Sequence, residues 1–323
     1  MAKDSKAKSK EKAKGKGKGK VGIIGLGIMG GSFARNLIAD GWSISGMDTD
    51  PERRKAMKKA GVQICDTVKE VLADCPVVIT SLPSPKALHA VVADIAAAKS
   101  PPRILIEAST FTLDDKLAAE KVAGKAGHTM LDCPVSGTGA QAAVGDLVVY
   151  ASGNEKAIKS VLPVFAGFSR QTNNLGVFGN GSKMKYVANL LVAIHNVAAA
   201  EAMVLGMKAG LEPEQIFKFA TGGAGNSRMF EIRGPMMVND DYTDATMKNH
   251  LWQKDMAVIG EFAAKLGVPT PMFSATIPVY AATLSTGYAE QDTGAVCGVL
   301  EMMAGVKRKK SSKKSGKKGG KKK

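Results

Sequence analysis

Two lysines in the stretch GNGSKMKYVANLL (residues 179–191) are the side chains that most need an explanation. Lys183 and Lys185 sit two apart, about 200° around a helix axis, so they cannot face the same surroundings. Lys185 shares a face with Asn189, one turn further on. Asn196 falls about 20° off the same stripe. Lys183 points elsewhere and reads as a solvated side chain near the helix start. A lone helical lysine is ordinarily a surface residue. An inward, partly desolvated one would have its charged form disfavoured and could accept a proton.

The other chemistry-bearing pattern opens the body of the chain, KVGIIGLGIMGGSFARNLIADGWSISGMDTD. Val21–Ile24 is a short apolar run, and Gly25, Leu26, Gly27, Ile28, Met29 and Gly30 form G-x-G-x-x-G. A helix-compatible segment and a strand-like WSISGM follow, ending in Asp48, 23 residues after the first glycine. Strand, glycine turn, helix, strand and terminal acid at this spacing predict a dinucleotide site. Gly25 would make the tight turn, Gly27 would let backbone approach a pyrophosphate, and Gly30 would let the helix pack on the strand. The pyrophosphate would meet the amide-rich end of that helix. A carboxylate at 48 accepts hydrogen bonds from ribose hydroxyls and repels a 2′-phosphate, so NAD is preferred over NADP. Arg53 and Arg54 could reverse this by pairing with a phosphate, but read first as solvated residues of a helical turn.

These groups need a scaffold. Short buried-strand patterns recur at 76–82, 103–109, 128–134 and 146–153, with a helical stretch at 85–98 between the first two. Such alternation predicts an α/β fold with a doubly wound, mostly parallel sheet. Ligands in such sheets bind beyond the carboxyl ends of strands, where Leu82, Pro83, Ser84, Ser109 and Thr110 fall. Beyond about residue 182 only helical stretches remain: 182–209, 213–220, 226–237, 247–266, 271–286 and 291–303. The expected organisation is a Rossmann-type domain over 21–182 and an all-helical domain over 183–304, between Lys-rich tails at 1–20 and 305–323.

The formal charge of +16 resides in those tails. Residues 1–20 hold nine lysines and two acids, and residues 305–323 hold eleven basic residues and no acid, which leaves the body at −2. Both tails are low-complexity Lys/Gly/Ser sequence that cannot bury apolar area, and are expected to be disordered. They read equally as polyanion-binding arms and as solubilising segments. Without aromatic residues to stack on bases, any nucleic-acid contact would be nonspecific. With 45% apolar residues the body can bury a sizeable core. No unbroken apolar run reaches about 18 residues, so no membrane span is expected. The N-terminus resembles neither a secretory signal nor a mitochondrial presequence. Cys65, Cys75, Cys133 and Cys297 show no C-x-x-C pairing, and the four histidines are scattered. A reduced, cytoplasmic protein without a metal is the expectation.

GLGIMG (25–30), DCPVSGTGAQAAVGDL (132–147), GNGSKMKYVAN (179–189) and QKDMAV (253–258) occur in the order and spacing of the 3-hydroxyacid dehydrogenase family. The chain resembles that family from residue 21 to about 304. Two further stretches, GAGNSRMFEIRGP (223–235) and DYTDATMKNHLWQKD (241–255), look most like its L-threonate dehydrogenase branch. The resemblance implies that Lys185 is the catalytic general acid/base and that Asn189 orients the substrate. It implies that Ser136, Gly137 and Thr138 hold a substrate carboxylate, with Lys254 reaching both cofactor and substrate. Leu82, Pro83 and Thr110 would lie near the nicotinamide. Arg228 or Arg233 could bind further substrate hydroxyls or make salt bridges, Asp255 could pair with a cation, and His195 reads as a packed helix residue. Hydride would pass between a small hydroxy acid and NAD in a cleft between the domains of a homodimer or homotetramer.

Two alternatives stay open. One is an NADPH-dependent reductase of small aldehyde acids, which differs in direction and cofactor. The other is a noncatalytic dehydrogenase-fold scaffold that associates with nucleic acid through basic tails; lysine at 185, with Asn189 and Ser136, argues for an enzyme.

Overall fold

The computed structural model describes residues 17–308. The rest of both predicted tails lies outside the described residues. The chain divides at Ala188/Asn189 into two compact units.

The first unit begins with β1 (Lys20–Ile24), α1 (Ile28–Ala39), β2 (Ser43–Met47), α2 (Pro51–Lys59), β3 (Gln63–Ile64) and α3 (Val68–Asp74). It continues through β4 (Val77–Thr80), α4 (Pro85–Ala97), β5 (Ile104–Glu107), α5 (Leu113–Lys125) and β6 (Thr129–Asp132). The six strands form one parallel sheet in the order β3-β2-β1-β4-β5-β6. The order reverses beside β1, which opens the crevice used by doubly wound folds. The register aligns Ile24 with Met47 and Thr80, Thr80 with Glu107, and Glu107 with Asp132, so these residues share one edge. Side-chain caps start α2, α3, α4 and α5: Asp50, Thr67, Ser84 and Thr112 each accept from an amide in the first turn. Phe33, Leu37, Val161 and Phe165 belong to one apolar cluster, and Val71, Leu72, Leu88 and Ala119 to another.

The stretch 146–153 departs from expectation. After β6 the chain passes through Cys133 and Pro134 into β7 (Val135–Ser136), then α6 (Gly139–Ala143), β8 (Val148–Ala151), α7 (Glu155–Ala166) and β9 (Gln171–Asn174). β8 lies in a separate three-stranded sheet, antiparallel to β7 and parallel to β9. Only Cys133 and Pro134 separate β6 from β7, too few for the crossover that a parallel neighbour requires, so β7 leaves the sheet and β8 pairs antiparallel with it.

α8 (Asn180–Lys208) runs for 29 residues and carries the chain into the second unit. By length and composition alone it would pass for a membrane-crossing helix, as the core helix of a helical assembly also does. Asn196 on it is fully buried and donates to Tyr280 and to the Thr293 carbonyl. That is the polar anchoring of a helix inside a helical assembly. The second unit continues with α9 (Pro213–Thr221), α10 (Arg228–Asn239), α11 (Asn249–Lys265), α12 (Pro271–Ser285) and α13 (Val296–Ala304).

Arg233 and Asp292 form a buried ion pair at 2.8 Å, and Asp292 also accepts the amides of Gly294, Thr246 and Met247. With the Thr246 hydroxyl as a further donor, this one carboxylate fastens α10 and the loop before α11 to the turn before α13. Residues 305–308 are not free tail: half-buried Arg308 pairs with Glu301 and donates to the carbonyls of Met237 and Val238.

Burial alone would raise the Asp292 pKa, but Arg233 and the converging amides outweigh it and hold the carboxyl below its usual range. A folded-state pKa below the unfolded value contributes stability above the unfolded value, about 3.9, that is lost as pH falls further. Urea unfolding between pH 6 and pH 2 should show the wild type losing stability more steeply than Asp292→Asn. Parallel slopes would contradict this account.

Candidate functional site

In the first unit the glycine loop joins β1 to α1. Gly25 adopts φ +92°, and a β-carbon on Gly30 would run into the Gly25 carbonyl oxygen, so both positions demand glycine. Asp48, just past β2 and only 7% exposed, accepts the Leu26 amide at 2.7 Å and the Asp50 amide at 2.8 Å. The acid therefore braces the loop. Gly27 caps α1 without any side-chain hydrogen bond. The first-turn amides of Ile28, Met29 and Gly30 have no acceptor within the helix. An uncapped, amide-rich helix start beside a glycine fits a dinucleotide pyrophosphate.

Arg53 is not simply solvated. Its guanidinium lies 3.7 Å from the Asp48 carboxylate and 3.3 Å from that of Asp50, and a β-carbon on Gly27 would come to 3.5 Å from Nη1. Arg54 does turn away, to pair with Asp66.

Beyond β4 and β5 lie the other predicted cofactor positions. Leu82 and Thr110 are half-buried and Pro83 is exposed. The Leu82 amide donates to Ser109 Oγ at 2.9 Å, and the Ser109 amide donates to Glu107 Oε1 at 2.9 Å. The structure thus ties together the two segments predicted to approach the nicotinamide.

Ser136 ends β7, Gly137 turns at φ +140°, and Thr138 caps α6. A capping box forms, with Thr138 Oγ1 accepting the Gln141 amide and the Thr138 amide donating to Gln141 Oε1 at 3.0 Å. That removes the Thr138 amide from the donors expected to face an anion, leaving the Ser136 hydroxyl and the Gly137 amide. Asn36 of α1 donates to the Ala142 carbonyl, so this loop is also tied to the helix that follows the glycine turn.

The feature missed by sequence reasoning is a buried charge cluster at the same sheet edge. Lys116 of α5, fully buried, pairs with Glu107 and Asp132, the residues that end β5 and β6. Burial pulls the Lys116 pKa down, but the charges of Asp132 and Glu107 outweigh it and leave it raised. Asp132 also accepts the Ser182 amide at 2.7 Å and the Ser182 hydroxyl at 2.8 Å, while Ser152 Oγ accepts the Gly181 amide. A β-carbon on Gly181 would strike the Tyr150 and Asp132 carbonyls, so only glycine permits this approach. The first turn of α8 is thereby bolted to the ends of β6 and β8. Lys185 follows three residues later, half-buried, whereas Lys183 is exposed and donates to Asn180. Tyr186 reaches back to the Phe111 carbonyl, and burial pushes its hydroxyl up to about 12. A helical lysine resembles a surface residue in sequence; the only hint was that two apolar strand patterns end in acids.

In the second unit, buried Asn189 donates to Asp255 Oδ1 at 3.3 Å, and the Lys254 ammonium lies 3.6 Å from Asp255 Oδ2. Asp255 thus organises two of the predicted substrate-binding residues. Asn196 is structural, as described above. Arg233 is committed to Asp292, and exposed Arg228 pairs with Glu231. His195 is exposed rather than packed. Among the described residues no group of three or more His, Cys, Asp or Glu side chains is placed to hold a metal.

Residues 20–179 match the NAD binding domain of 6-phosphogluconate dehydrogenase, and residues 179–300 match the NAD-binding region of NADP-dependent 3-hydroxyisobutyrate dehydrogenase. The chain is 32% identical to an L-threonate dehydrogenase of Cupriavidus necator, over 85% of its own length and 94% of the relative's. It belongs to the 3-hydroxyacid dehydrogenase family. A probable 3-hydroxyisobutyrate dehydrogenase of Mycobacterium tuberculosis is 28% identical over 88% of this chain and 98% of that one. The solved 3-hydroxyisobutyrate dehydrogenase of Mycobacterium tuberculosis with L-serine superposes with a TM-score of 0.79 at 28% identity, covering 87% and 99% of the two chains. The 3-hydroxyisobutyrate dehydrogenase from Salmonella typhimurium gives 0.79 at 29% identity with the same coverage. As a 3-hydroxyacid dehydrogenase, the protein is an NAD(P)-dependent oxidoreductase of CH–OH groups, as both the folded glycine loop and its relatives indicate.

Replacing Lys116 by methionine would leave two carboxylates buried without their cation. Denaturant unfolding of Lys116→Met should show a loss of about 3–5 kcal/mol. A loss under about 1 kcal/mol would mean that the cluster is solvated.

Proposed function

We propose that the protein oxidises a small hydroxy acid of the 3-hydroxyisobutyrate or L-threonate kind with NAD, using Lys185 as general acid/base. The observation that carries this reading is the half-buried Lys185 on a helix whose first turn is fixed to the sheet edge by Asp132 and Ser182. A lysine held at the carboxyl end of a doubly wound sheet stands where that architecture binds its ligands.

When bound, the nicotinamide supplies the hydride acceptor. The chain does the rest. First-turn amides of α1 would hold the pyrophosphate, and Asp48 would read the ribose hydroxyls with the lone pairs that Leu26 and Asp50 leave. The Ser136 hydroxyl and Gly137 amide hold the substrate carboxylate, and Asn189 and Lys254 orient it. The neutral Lys185 amine takes the hydroxyl proton as hydride leaves the carbinol carbon, giving an aldehyde or ketone acid. In reverse, the ammonium returns that proton to the developing alkoxide. L-serine, named with the Mycobacterium tuberculosis structure, is itself a small 3-hydroxy acid and supports the substrate class. Exposed Leu205, Phe219 and Met272 of the helical unit support a homodimer or homotetramer. Lysine at 185 disfavours a noncatalytic nucleic-acid scaffold.

A second reading concerns the cofactor alone. Arg53 stands beside both Asp48 and Gly27, where a guanidinium could meet a 2′-phosphate, and so favours some use of NADP.

A panel of C3–C6 hydroxy acids, L-threonate and 3-hydroxyisobutyrate included, followed by NADH formation, should give turnover. Lys185→Ala should lower kcat on the best substrate by roughly a hundred- to ten-thousandfold; unchanged turnover would refute the mechanism. Asp48→Ser should shift the NAD/NADP ratio of kcat/KM towards NADP by about tenfold or more, and Arg53→Ala should shift it towards NAD. If neither variant changes the ratio, cofactor choice is set elsewhere.

A further inference from the structure

We infer that buried Lys116 is a positioning residue that couples the cofactor loops to the proton-transfer lysine, through two separable arms of one hydrogen-bonded network. The inference rests on the roles proposed for Lys185, Leu82 and Thr110.

One arm runs towards the cofactor segments. The Lys116 ammonium meets Glu107, Glu107 Oε1 accepts the Ser109 amide at 2.9 Å, and Ser109 Oγ accepts the Leu82 amide at 2.9 Å. Thr110 directly follows Ser109, so this arm sets the backbone on which Leu82, Pro83 and Thr110 are carried. The other arm runs towards the acid/base. The same ammonium donates to Asp132 Oδ1 at 2.8 Å, and Asp132 accepts both the amide and the hydroxyl of Ser182, one helical turn before Lys185. Ser152 donates to Asp132 and accepts the Gly181 amide, which adds a third strap to the helix start.

A merely structural reason for this arrangement is weak on energetic grounds. Apolar side chains of matching volume fill such a space as stably as a buried ion triad, or more so. What charged groups add is direction. Each carboxylate needs its donors at fixed angles, so the cluster defines the positions of two backbone segments relative to one ammonium. Glu107 and Asp132 are register partners on adjacent strands, which makes Lys116 the only described cation that bridges the two strand ends. Transfer of hydride and proton in one turnover needs the cofactor segments and Lys185 held to a common frame. Neither Glu107, Lys116 nor Asp132 has to touch substrate to do this.

The arms can be cut one at a time without unpairing a buried charge. Ser109→Ala removes the acceptor of the Leu82 amide, and Ser182→Ala removes one donor to Asp132; both leave the triad intact. Steady-state kinetics on the best hydroxy acid should then split. Ser109→Ala should raise KM for NAD about 3–10-fold with a smaller change in kcat, and Ser182→Ala should lower kcat about 3–10-fold with a smaller change in KM for NAD. Asp132→Asn, which weakens the Ser182 arm from the other side, should displace the pH limb of kcat, whereas Ser109→Ala should leave that limb in place. Ser182→Thr, which restores the hydroxyl, should recover kcat. If both serine variants change kcat and KM in the same proportion, or change neither, the coupling is wrong and the cluster only stabilises the fold. Lys185→Ala in the same assays separates the two claims. An inactive Lys185→Ala with no split between the serines overturns the coupling alone. An active Lys185→Ala overturns the functional reading on which it rests.

Discussion

One ammonium buried between two carboxylates organises the first unit. Lys116 pairs with Glu107 and Asp132 at the carboxyl edge of the parallel sheet, where desolvation would otherwise expel all three charges. The cluster persists because the ammonium meets two carboxylates and each carboxylate also accepts backbone or hydroxyl donors. From Glu107 the bonds reach Ser109 and the Leu82 amide; from Asp132 they reach Ser182 and the start of α8. The proposed cofactor segments and the proposed acid/base lysine therefore hang from the same few atoms.

A similar device recurs in the helical unit. Asp292 gathers Arg233 and three amides, and Asp255 gathers Asn189 and lies beside Lys254. In both units a buried acid at the end of an element fixes loops that apolar packing alone leaves free to slide. Hydrophobic burial supplies most of the driving force for folding but is non-directional. Hydrogen bonds to carboxylates supply the angles that a site requires.

Loop chemistry shows the same division. The glycine loop follows from sterics: Gly25 must turn at positive φ, and Gly30 must lie against the Gly25 carbonyl, so spacing alone identified it. The 136–138 loop was harder. Its glycine and hydroxyl residues were evident, but Gln141 takes the Thr138 amide, and that bond depends on how a five-residue helix closes. Arg53 likewise read as solvated because its partners, Asp48 and the face of Gly27, come together only when α2 folds back beside the loop.

By itself the sequence determined the doubly wound sheet, the helical second unit, the dinucleotide loop with Asp48, and the separation of Lys185 from Lys183. Each depends on a local periodicity or a fixed spacing: alternating elements, G-x-G-x-x-G, or 100° per residue around a helix. Tertiary structure alone decided that β8 leaves the parallel sheet, that Asn196 and Arg233 are structural, that His195 is exposed, and that Lys116 is the buried cation of the cluster. Those outcomes depend on which side chains meet across 16 to 97 residues of chain, as Lys116 does with Asp132 and Asn196 with Thr293. No local pattern encodes such meetings, because a lysine on a charged helix looks the same in sequence whether it faces water or two carboxylates.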